Sequence, residues 1–409
     1  MGLDAYCRQL CYIGGWNTTL LPDSKTEAYG ARRTLLTTYN TMTIEDLALL
    51  FTRGIGSRGA AALIDHFGSA EEVFAADKEE LIRSIGLRDE LAERIVAGEG
   101  MAAAEREVEY CRKNNIRIIS ATDEEYPEGL REASDRPHVL FVQGNVDALS
   151  MRTLSVVGTR DASAAGIHTC QYIIESLASK VKDLCVVSGL AYGIDAAAHR
   201  AALAANTPTI AVVPSILPNV APAAHRALAD EILRSGGAIV SELHSATHLN
   251  GSFFIARNRI IAAMSAGTIV VESPATGGSL ETADMADSYG RVVMALPGRA
   301  TDSHAFGTNN LIRSGKARLI LTADDIIEDL GWDIEQHTLE QESDTNTIEI
   351  ELSDAERRIL EAFRVSTTVE WEHLMSSTGL SLGEISMAIM ELELKGLIRS
   401  LPGKRYELV

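Results

Sequence analysis

The sequence predicts an α/β fold class: a Rossmann-like, mostly parallel sheet core with an N-terminal helical domain and a C-terminal winged-helix domain. Between residues 153 and 295, short Val- and Ile-rich runs alternate with helical periods, which is typical of a parallel sheet with helices on both faces. Residues 44–110 carry apolar residues at helical spacing only. Residues 354–408 combine three helical patterns with a terminal β-hairpin, the element order of a winged helix-turn-helix.

Changes in composition predict where the domains begin and end. The first residues lack a sustained apolar period, and Met42 fits a natural start because helical periodicity begins directly after it. The predicted divisions are a flexible N-terminal tail at 1–41, a helical domain with connecting strands at 42–136, a Rossmann-like domain at 137–332, an acidic linker at 333–350 and a winged-helix domain at 351–409.

The composition is that of an ordinary globular protein. A chain of 409 residues with 46% hydrophobic residues can form two or three packed domains. It has neither an apolar run long enough to span a membrane nor a secretory signal pattern, so a cytoplasmic location is expected. The five cysteines are scattered without metal-binding spacing, which favours reduced structural thiols and predicts neither a metal nor a cofactor.

The charge is strongly negative but unevenly distributed. A formal net charge of -20 argues against a basic coat for non-specific nucleic-acid binding, while leaving room for a local basic site. Residues 137–330 hold 14 Lys+Arg and 17 Asp+Glu, so most of the acidic excess lies in the flanking segments. Most basic residues of this middle part are arginines, which form bidentate contacts with phosphate.

The predicted helical domain contains two glycine turns. Gly54-Ile55-Gly56 and Ile85-Gly86-Leu87 precede predicted helices at 58–66 and 89–96, an arrangement that resembles a tandem helix-hairpin-helix or SAM-like domain presenting backbone N–H groups to DNA. A helical bundle used for packing is the preferred alternative, because the second turn has one glycine and the segment is acidic. Short strands at 116–120 and 137–144 are predicted to join this bundle to the core.

Polar loops follow the predicted parallel strands at their carboxyl ends, where ligands bind in such folds. The first strand is followed by Gly158, Thr159 and Arg160, and Ser163 is placed to cap the next helix. The free amides and dipole of a helix N-terminus favour an anion, so a phosphate is predicted here, with a purely structural turn as the alternative.

The second loop starts with Ser188 and Gly189, which are further phosphate-loop candidates. Asp195 and His199 follow one helical turn apart, a spacing that suits either acid–base catalysis or a mutual hydrogen bond. We favour the structural role.

Two later loops add candidates. Arg257 and Arg259 flank Asn258 and diverge on a helix, so one is expected to face a ligand while the other pairs with an acid such as Glu242 or Glu272. Phe253 and Phe254, just before them, serve either core packing or the stacking of bases.

Gly277, Gly278 and Ser279 begin a helix after another strand and predict a second anion cradle beside the first. The sequence offers no nucleophile with an evident base, and it lacks G-x-G-x-x-G after the first strand and the P-loop pattern. An enzyme is therefore not required by these residues, and no catalytic residue is predicted.

The predicted recognition helix of the winged-helix domain is acidic. Residues 382–395 contain Glu384, Glu391 and Glu393 against one lysine, which disfavours entry into a DNA groove. Contact with a protein, or dimerisation, is the preferred role of this helix, and a DNA-groove transcription factor is the disfavoured one.

A series of motifs follows in order along the chain. They are Val157-Gly158-Thr159-Arg160, Ser188-Gly189-Leu190-Ala191-Tyr192-Gly193-Ile194-Asp195 with Ala198-His199, Ser241-Glu242, Arg257-Asn258-Arg259-Ile260-Ile261, Gly278-Ser279-Leu280 with Thr282-Ala283, Leu296-Pro297-Gly298 and Gly307-Thr308-Asn309-Asn310-Leu311-Ile312. Together they resemble the DNA processing protein A (DprA/Smf) family, from about residue 44 to the C-terminus.

The resemblance implies a protein that binds single-stranded DNA, forms a homodimer and loads the recombinase RecA onto incoming strands, which it protects, in natural transformation or recombination. It implies no membrane partner and no catalysis. The DNA-binding residues predicted from the loops and the resemblance are Gly158, Thr159, Arg160, Ser163, Ser188, Gly189, Arg257, Asn258, Arg259, Gly277, Gly278 and Ser279.

One loop departs from the family pattern. The family usually has G-x-D followed by Tyr-Pro after the third strand, whereas here Val213 is followed by a proline-rich segment up to Pro222. A basic DNA contact beyond this loop could come only from His225 or Arg226, so a lower DNA affinity is expected.

The alternative function is a nucleotide-binding enzyme or sensor of the related phosphoribohydrolase-like Rossmann group. The Gly277-Gly278-Ser279 loop resembles part of the P-G-G-x-G-T-x-x-E signature of those enzymes. The chain lacks the second glycine-threonine step of that signature.

Overall fold

A computed structural model describes residues 43–332, 352–363, 368–395, 397–401 and 403–408. The described residues form two compact units, one within Met1–Glu335 and the other within Gln336–Val409. The tail predicted at 1–41 and the linker predicted at 333–350 lie outside the described residues. Among the described helices, none combines the length and apolar character needed to cross a membrane.

The first unit begins with a helical layer. Thr43 and Asp46 form a reciprocal capping box, which explains why the helical pattern starts so abruptly after Met42. The two predicted glycine turns lie before the second and fifth helices, as expected. The helices are α1 (Ile44–Phe51), α2 (Ser57–Phe67), α3 (Ala70–Ala75), α4 (Lys78–Ile85), α5 (Asp89–Val96) and α6 (Met101–Lys113).

A mostly parallel sheet forms the core of this unit, which confirms the predicted fold class. The strands are β1 (Arg117–Ser120), β2 (Val139–Gly144), β3 (Arg152–Val157), β4 (Leu184–Ser188), β5 (Thr209–Val212), β6 (Ala238–Ser241), β7 (Gly267–Val270), β8 (Val292–Ala295) and β9 (Arg318–Leu319). Their order across the sheet is β1-β2-β6-β5-β4-β3-β7-β8-β9. The adjacent strands β6-β5-β4-β3-β7-β8-β9 are parallel to one another. Strand β2 pairs antiparallel with both β6 and β1, so β1 forms an edge of the sheet.

Helices cover both faces of the sheet, as the alternating pattern predicts. The helices are α7 (Glu128–Arg131), α8 (Ala164–Lys180), α9 (Ile194–Ala204), α10 (Arg226–Arg234), α11 (Phe253–Ala256), α12 (Asn258–Met264), α13 (Gly278–Ser288), α14 (Phe306–Arg313) and α15 (Ala323–Leu330). One apolar cluster packs α12 and α13 against the strands through Ile260 and Ala283, and the opposite cluster packs α8 and α15 through Ile174 and Ile326.

The helical layer packs directly on the sheet. Leu47 of α1 and Cys111 of α6 share an apolar cluster with Phe141 of β2 and Val213 after β5. The buried carboxylate of Glu107 on α6 accepts hydrogen bonds from the backbone N–H of Ser245, at 2.8 Å, and from its hydroxyl. The helical layer thus packs on the sheet and also fixes the loop after β6.

The second unit has the predicted winged-helix elements around a core of Ile359, Leu374, Ile385 and Leu392. Its elements are α16 (Asp354–Ala362), β10 (Thr368–Glu370), α17 (Trp371–Thr378), α18 (Leu382–Leu394), β11 (Ile398–Leu401) and β12 (Arg405–Leu408). The strands pair in the order β10-β12-β11. Strand β10 was not predicted, because its three residues are too short for a period and gain strand structure only by pairing with β12.

We predict that Glu107→Ala lowers the urea midpoint of unfolding. The substitution removes the acceptor of the Ser245 N–H, and a buried donor left unpaired costs about 1–3 kcal/mol. Glu109→Ala on the same helix is the matched control, because its partners Arg112 and Lys113 are exposed and such pairs contribute about 0.5 kcal/mol or less. Equal midpoints for the two variants would contradict the prediction.

Candidate functional site

The loops at the carboxyl edge of the sheet interlock. Thr159 donates its N–H to the carbonyl of Glu272 at 2.8 Å, and Ile194 donates to the carbonyl of Thr159 at 3.2 Å. A Cβ at Gly158 would lie 2.9 Å from that carbonyl of Glu272 and would overlap Ile194. The glycine after β3 is therefore required by the close approach of the loop after β7 and the start of α9.

The N-terminus of α8 already holds an anion that belongs to the chain. Ser163 caps this helix as predicted, since its Oγ accepts from the N–H of Gly166 at 2.9 Å. The carboxylate of Glu272 accepts from the N–H of Ser163 at 2.9 Å and from its hydroxyl at 2.5 Å. A side chain at Gly166 would overlap this carboxylate. Glu272 therefore bonds to the N-cap residue of the helix start where the sequence predicted a phosphate.

Arg257 lies inside the fold. It is 5% exposed and donates Nη1 to the carbonyls of Gly189, at 2.5 Å, and of Val212. The guanidinium fills the space that a side chain at Gly189 would need. Burial lowers the pKa of Arg257 to about 10, against the opposing effect of Asp195. Burial likewise raises the pKa of the Asp195 carboxyl, opposed mainly by Arg257.

Arg259 pairs with Glu242, as expected, and both side chains are about 85% buried, with 14% and 15% exposed. Burial raises the pKa of Glu242 despite this pairing. Since Arg257 is buried too, the expectation that one arginine of the pair faces a ligand is wrong. Both arginines hold strand ends and loops together.

His199 does not hydrogen-bond to Asp195, which corrects the predicted mutual bond. Its Nδ1 lies 2.7 Å from Oγ1 of Thr209, whose hydroxyl donates to the carbonyl of Val186 at 2.7 Å. Nδ1 therefore carries the proton and donates to Thr209. Burial lowers the pKa of His199 to about 3, so the ring is neutral near pH 7. The structural role favoured for this residue agrees with these contacts.

The second predicted cradle, at the start of α13, is open. Gly277 is its N-cap and provides no side-chain cap, and both Gly277 and Gly278 are exposed. A Cβ would find its nearest neighbours 3.7 Å away at Gly277 and 3.8 Å away at Gly278, and the φ of Gly277, 169°, is ordinary extended backbone. The fold itself therefore requires glycine at neither position. The hydroxyl of Ser279 points inward and donates to Oγ of Ser273 at 2.9 Å.

Two side chains at the same edge are directed outward. Asn258 accepts from Nε of Arg257 at 3.2 Å, and its Nδ2 lies 3.8 Å from the position of a Cβ at Gly278. Arg160 is exposed and has neither an ion pair nor a side-chain hydrogen bond among the described residues. Of the predicted residues, Arg160, Asn258, Gly277 and Gly278 are thus exposed or partly exposed at this edge, whereas Ser188, Gly189, Arg257, Arg259 and Ser279 are used within the fold.

Exposed aromatic rings lie in the segments that follow three strands, on a turn or at the start of a helix. Tyr192 follows β4, Phe254 follows β6 and Phe306 follows β8, and they are 50%, 39% and 42% exposed. Tyr192 and Phe306 were not predicted from the sequence, unlike the phenylalanine pair. Each lies after a predicted strand and at or just before the start of the next helix, which was the signal that could have identified them.

The two basic residues beyond the loop after β5 are both used internally. His225 is buried, with Nδ1 2.7 Å from the carbonyl of Leu190. Arg226 pairs with Asp230 at 3.0 Å and donates to the carbonyl of Pro218 at 2.8 Å. Both side chains that could have supplied the expected basic DNA contact thus bond to groups of the protein itself.

Three segments of the chain match known protein families. A family described as DNA recombination-mediator protein A matches residues 117–331, and the DprA winged helix domain matches residues 343–404. A SAM-like helix-hairpin-helix tandem matches residues 45–98.

Similar proteins agree with these families. A putative DNA processing protein DprA from Mycobacterium tuberculosis is 32% identical over 84% of this chain and 89% of its own length. The protein Smf of Escherichia coli is 35% identical over 71% of this chain and 76% of its own. The X-ray structure of DNA processing protein A from Streptococcus pneumoniae matches with a TM-score of 0.57 and 30% identity, over 72% of this chain and 99% of that one.

We predict that His199 makes the fold acid-sensitive. Its pKa falls from an ordinary 6.5 to about 3 on folding, so the unfolded chain binds the proton more tightly between these values. Stability contributed by this group is complete above pH 6.5 and is lost as the pH falls toward 3. Between pH 6.5 and 4.5 wild type should lose about 2 kcal/mol more unfolding free energy than His199→Gln, measured by urea titration.

His168→Gln, at an exposed position of α8, is the matched control and should retain the wild-type slope. A His199→Gln variant with the same pH dependence as wild type would contradict the prediction.

Proposed function

Because the chain belongs to the DNA processing protein A (DprA/Smf) family, we propose that it binds single-stranded DNA at the carboxyl edge of its sheet and loads RecA onto the bound strand. It does so as a cytoplasmic homodimer without catalysing a reaction, in transformation or recombination. The strand runs past the start of α13, with Arg160 and Asn258 as side-chain contacts.

The open N-terminus of α13 carries this proposal. Uncapped amides at a helix start bind phosphate through hydrogen bonds and the helix dipole. The fold has room for a side chain at Gly277 and at Gly278. We infer that glycine at these positions allows a ligand to approach the backbone amides closely. A DNA backbone is an extended anion that requires such close approach.

Charge supports the same edge. Arg160 is exposed there and has no ion pair or side-chain hydrogen bond with the part of the chain that the structure describes, so its guanidinium is available for a phosphate. At the start of α8 the carboxylate of Glu272 already bonds to Ser163, so we assign no phosphate to that position. The proposed contacts are therefore few, and we expect a modest affinity.

Exposed aromatic rings favour a single strand over a duplex. Tyr192, Phe254 and Phe306 offer faces for stacking, and only unpaired bases can turn out to meet them. Stacking accepts any base, so binding independent of sequence follows.

The geometry also favours binding over catalysis. Asp195 and His199 have the spacing of an acid–base pair, but both are buried and bonded to other groups. A phosphoribohydrolase-like enzyme would release a free base from a nucleoside monophosphate. An assay for free base therefore tests this alternative function directly.

We predict that Arg160→Ala weakens binding to a fluorescent oligo-dT by about tenfold or more in anisotropy titrations, because a charge-assisted contact to phosphate is lost. The slope of log affinity against log salt should fall by about 0.7, the value for one phosphate contact on a single strand. Arg200→Ala on α9 removes an exposed arginine away from the strand ends and should bind as wild type does.

The same variants test recombinase loading. Wild type and Arg200→Ala should accelerate RecA filament formation on strands coated with single-strand binding protein, and Arg160→Ala should not. Unchanged binding by Arg160→Ala would refute the site, and acceleration by none of the three proteins would refute the loading role.

We predict that Gly278→Ala separates binding from stability. The added methyl fits the fold, and alanine at a helix start reduces the entropy of the unfolded chain, so the thermal midpoint should stay the same or rise slightly. Oligo-dT affinity should fall severalfold, because the methyl holds the phosphate away from the amides. Gly59→Ala in α2, where the nearest atom to a Cβ is 3.7 Å away, is the control and should bind normally.

A further inference from the structure

The winged-helix unit has an exposed apolar stripe on α18. Ile385, Ile389 and Leu392 of this helix face the core of the unit. Met387 and Met390 lie on the opposite face and are 59% and 57% exposed. Methionine side chains of this exposure are uncommon on a surface helix, where polar residues normally face water.

Gly383 continues the stripe toward the N-terminus of the helix. It precedes Met387 by four residues and Met390 by seven, so the three positions share one face. No atom lies within 4 Å of a Cβ placed at Gly383, so the fold has room for a larger residue there. The glycine leaves that part of the stripe open to a close neighbour.

Acidic residues border the stripe. Glu384 and Glu391 lie along one side of it and Glu393 along the other, by helical spacing. Glu384 caps the helix through Ser381, and Glu393 accepts from the hydroxyl of Ser400. The side chain of Glu391 has neither an ion pair nor a hydrogen bond among the described residues. The last turn of α18 contains no basic residue.

We propose that this stripe, Gly383, Met387 and Met390 with its acidic borders, docks a basic amphipathic helix of a partner protein. The methionines would receive the apolar face of that helix, because their flexible thioethers adapt to irregular surfaces. The glutamates would pair with lysines or arginines that flank the apolar face.

Charge selects this occupant over the others. A second copy of the stripe would bring its own glutamates against these, and duplex DNA would bring phosphates. The chain's own segment at 333–351 has seven acidic residues and no lysine or arginine, so it is mismatched as well.

The test uses the full chain and a labelled synthetic helix with leucines at i, i+3, i+4 and i+7 and lysines on both flanks. A scrambled peptide of the same composition keeps the charge but loses the apolar face. The patterned peptide should bind about tenfold more tightly than the scrambled one, the effect of a buried apolar anchor. The double variant Met387→Gln/Met390→Gln should abolish this difference, and Glu391→Gln should weaken binding and its salt dependence.

Val96→Gln replaces a comparably exposed apolar side chain in the first unit and should bind the patterned peptide normally. Equal affinity for the two peptides, or a double variant that still distinguishes them, would overturn the proposal. Two further results would also overturn it. If the double variant had a lower oligomeric state in sedimentation, the stripe would bind a second copy of the chain. If the double variant lost binding to duplex DNA, the stripe would bind DNA. Oligo-dT binding is independent of this stripe, so failure here leaves the proposed function standing.

Discussion

The contacts of Glu272 determine the arrangement of the binding edge. Its carbonyl accepts from Thr159 and its carboxylate accepts twice from Ser163, so one residue after β7 fixes both the turn after β3 and the start of α8. The interaction satisfies a helix N-terminus that would otherwise attract an external anion. Of the two anion cradles that the sequence predicts, at the starts of α8 and α13, the one at α13 is therefore the open one.

Local patterns in the sequence predicted local features well. The Val- and Ile-rich runs predicted the parallel strands because these are buried on both faces, and residue type and position predicted the cap at Ser163. The pairing of Arg259 with Glu242 was also predicted, since a diverging arginine near a strand-end acid has few other partners. Each of these rests on contacts between neighbouring residues or adjacent strand ends.

The predictions that were wrong depended on contacts between distant parts of the chain. Arg257 is buried because Gly189, 68 residues earlier, leaves space for its guanidinium, and no spacing within either motif indicates this. The separation of Asp195 and His199 suited a mutual bond, but the hydroxyl of Thr209 on the neighbouring strand is the partner instead. The role of a glycine in a motif also depends on distant residues. Gly189 makes room for the side chain of Arg257, whereas Gly278 has open space around it.

The antiparallel edge of the sheet also constrains how the chain folds during synthesis. β2 precedes the parallel core in the chain, yet its partner β6 is made only after β3, β4 and β5. Until Ala238–Ser241 leaves the ribosome, the apolar strand Val139–Gly144 has no neighbour on that side, and its unpaired edge is open to wrong pairing. The helical layer packs against residues of β2, β5 and β6, so the N-terminal part of the chain is made early but is completed only after β6 has been made.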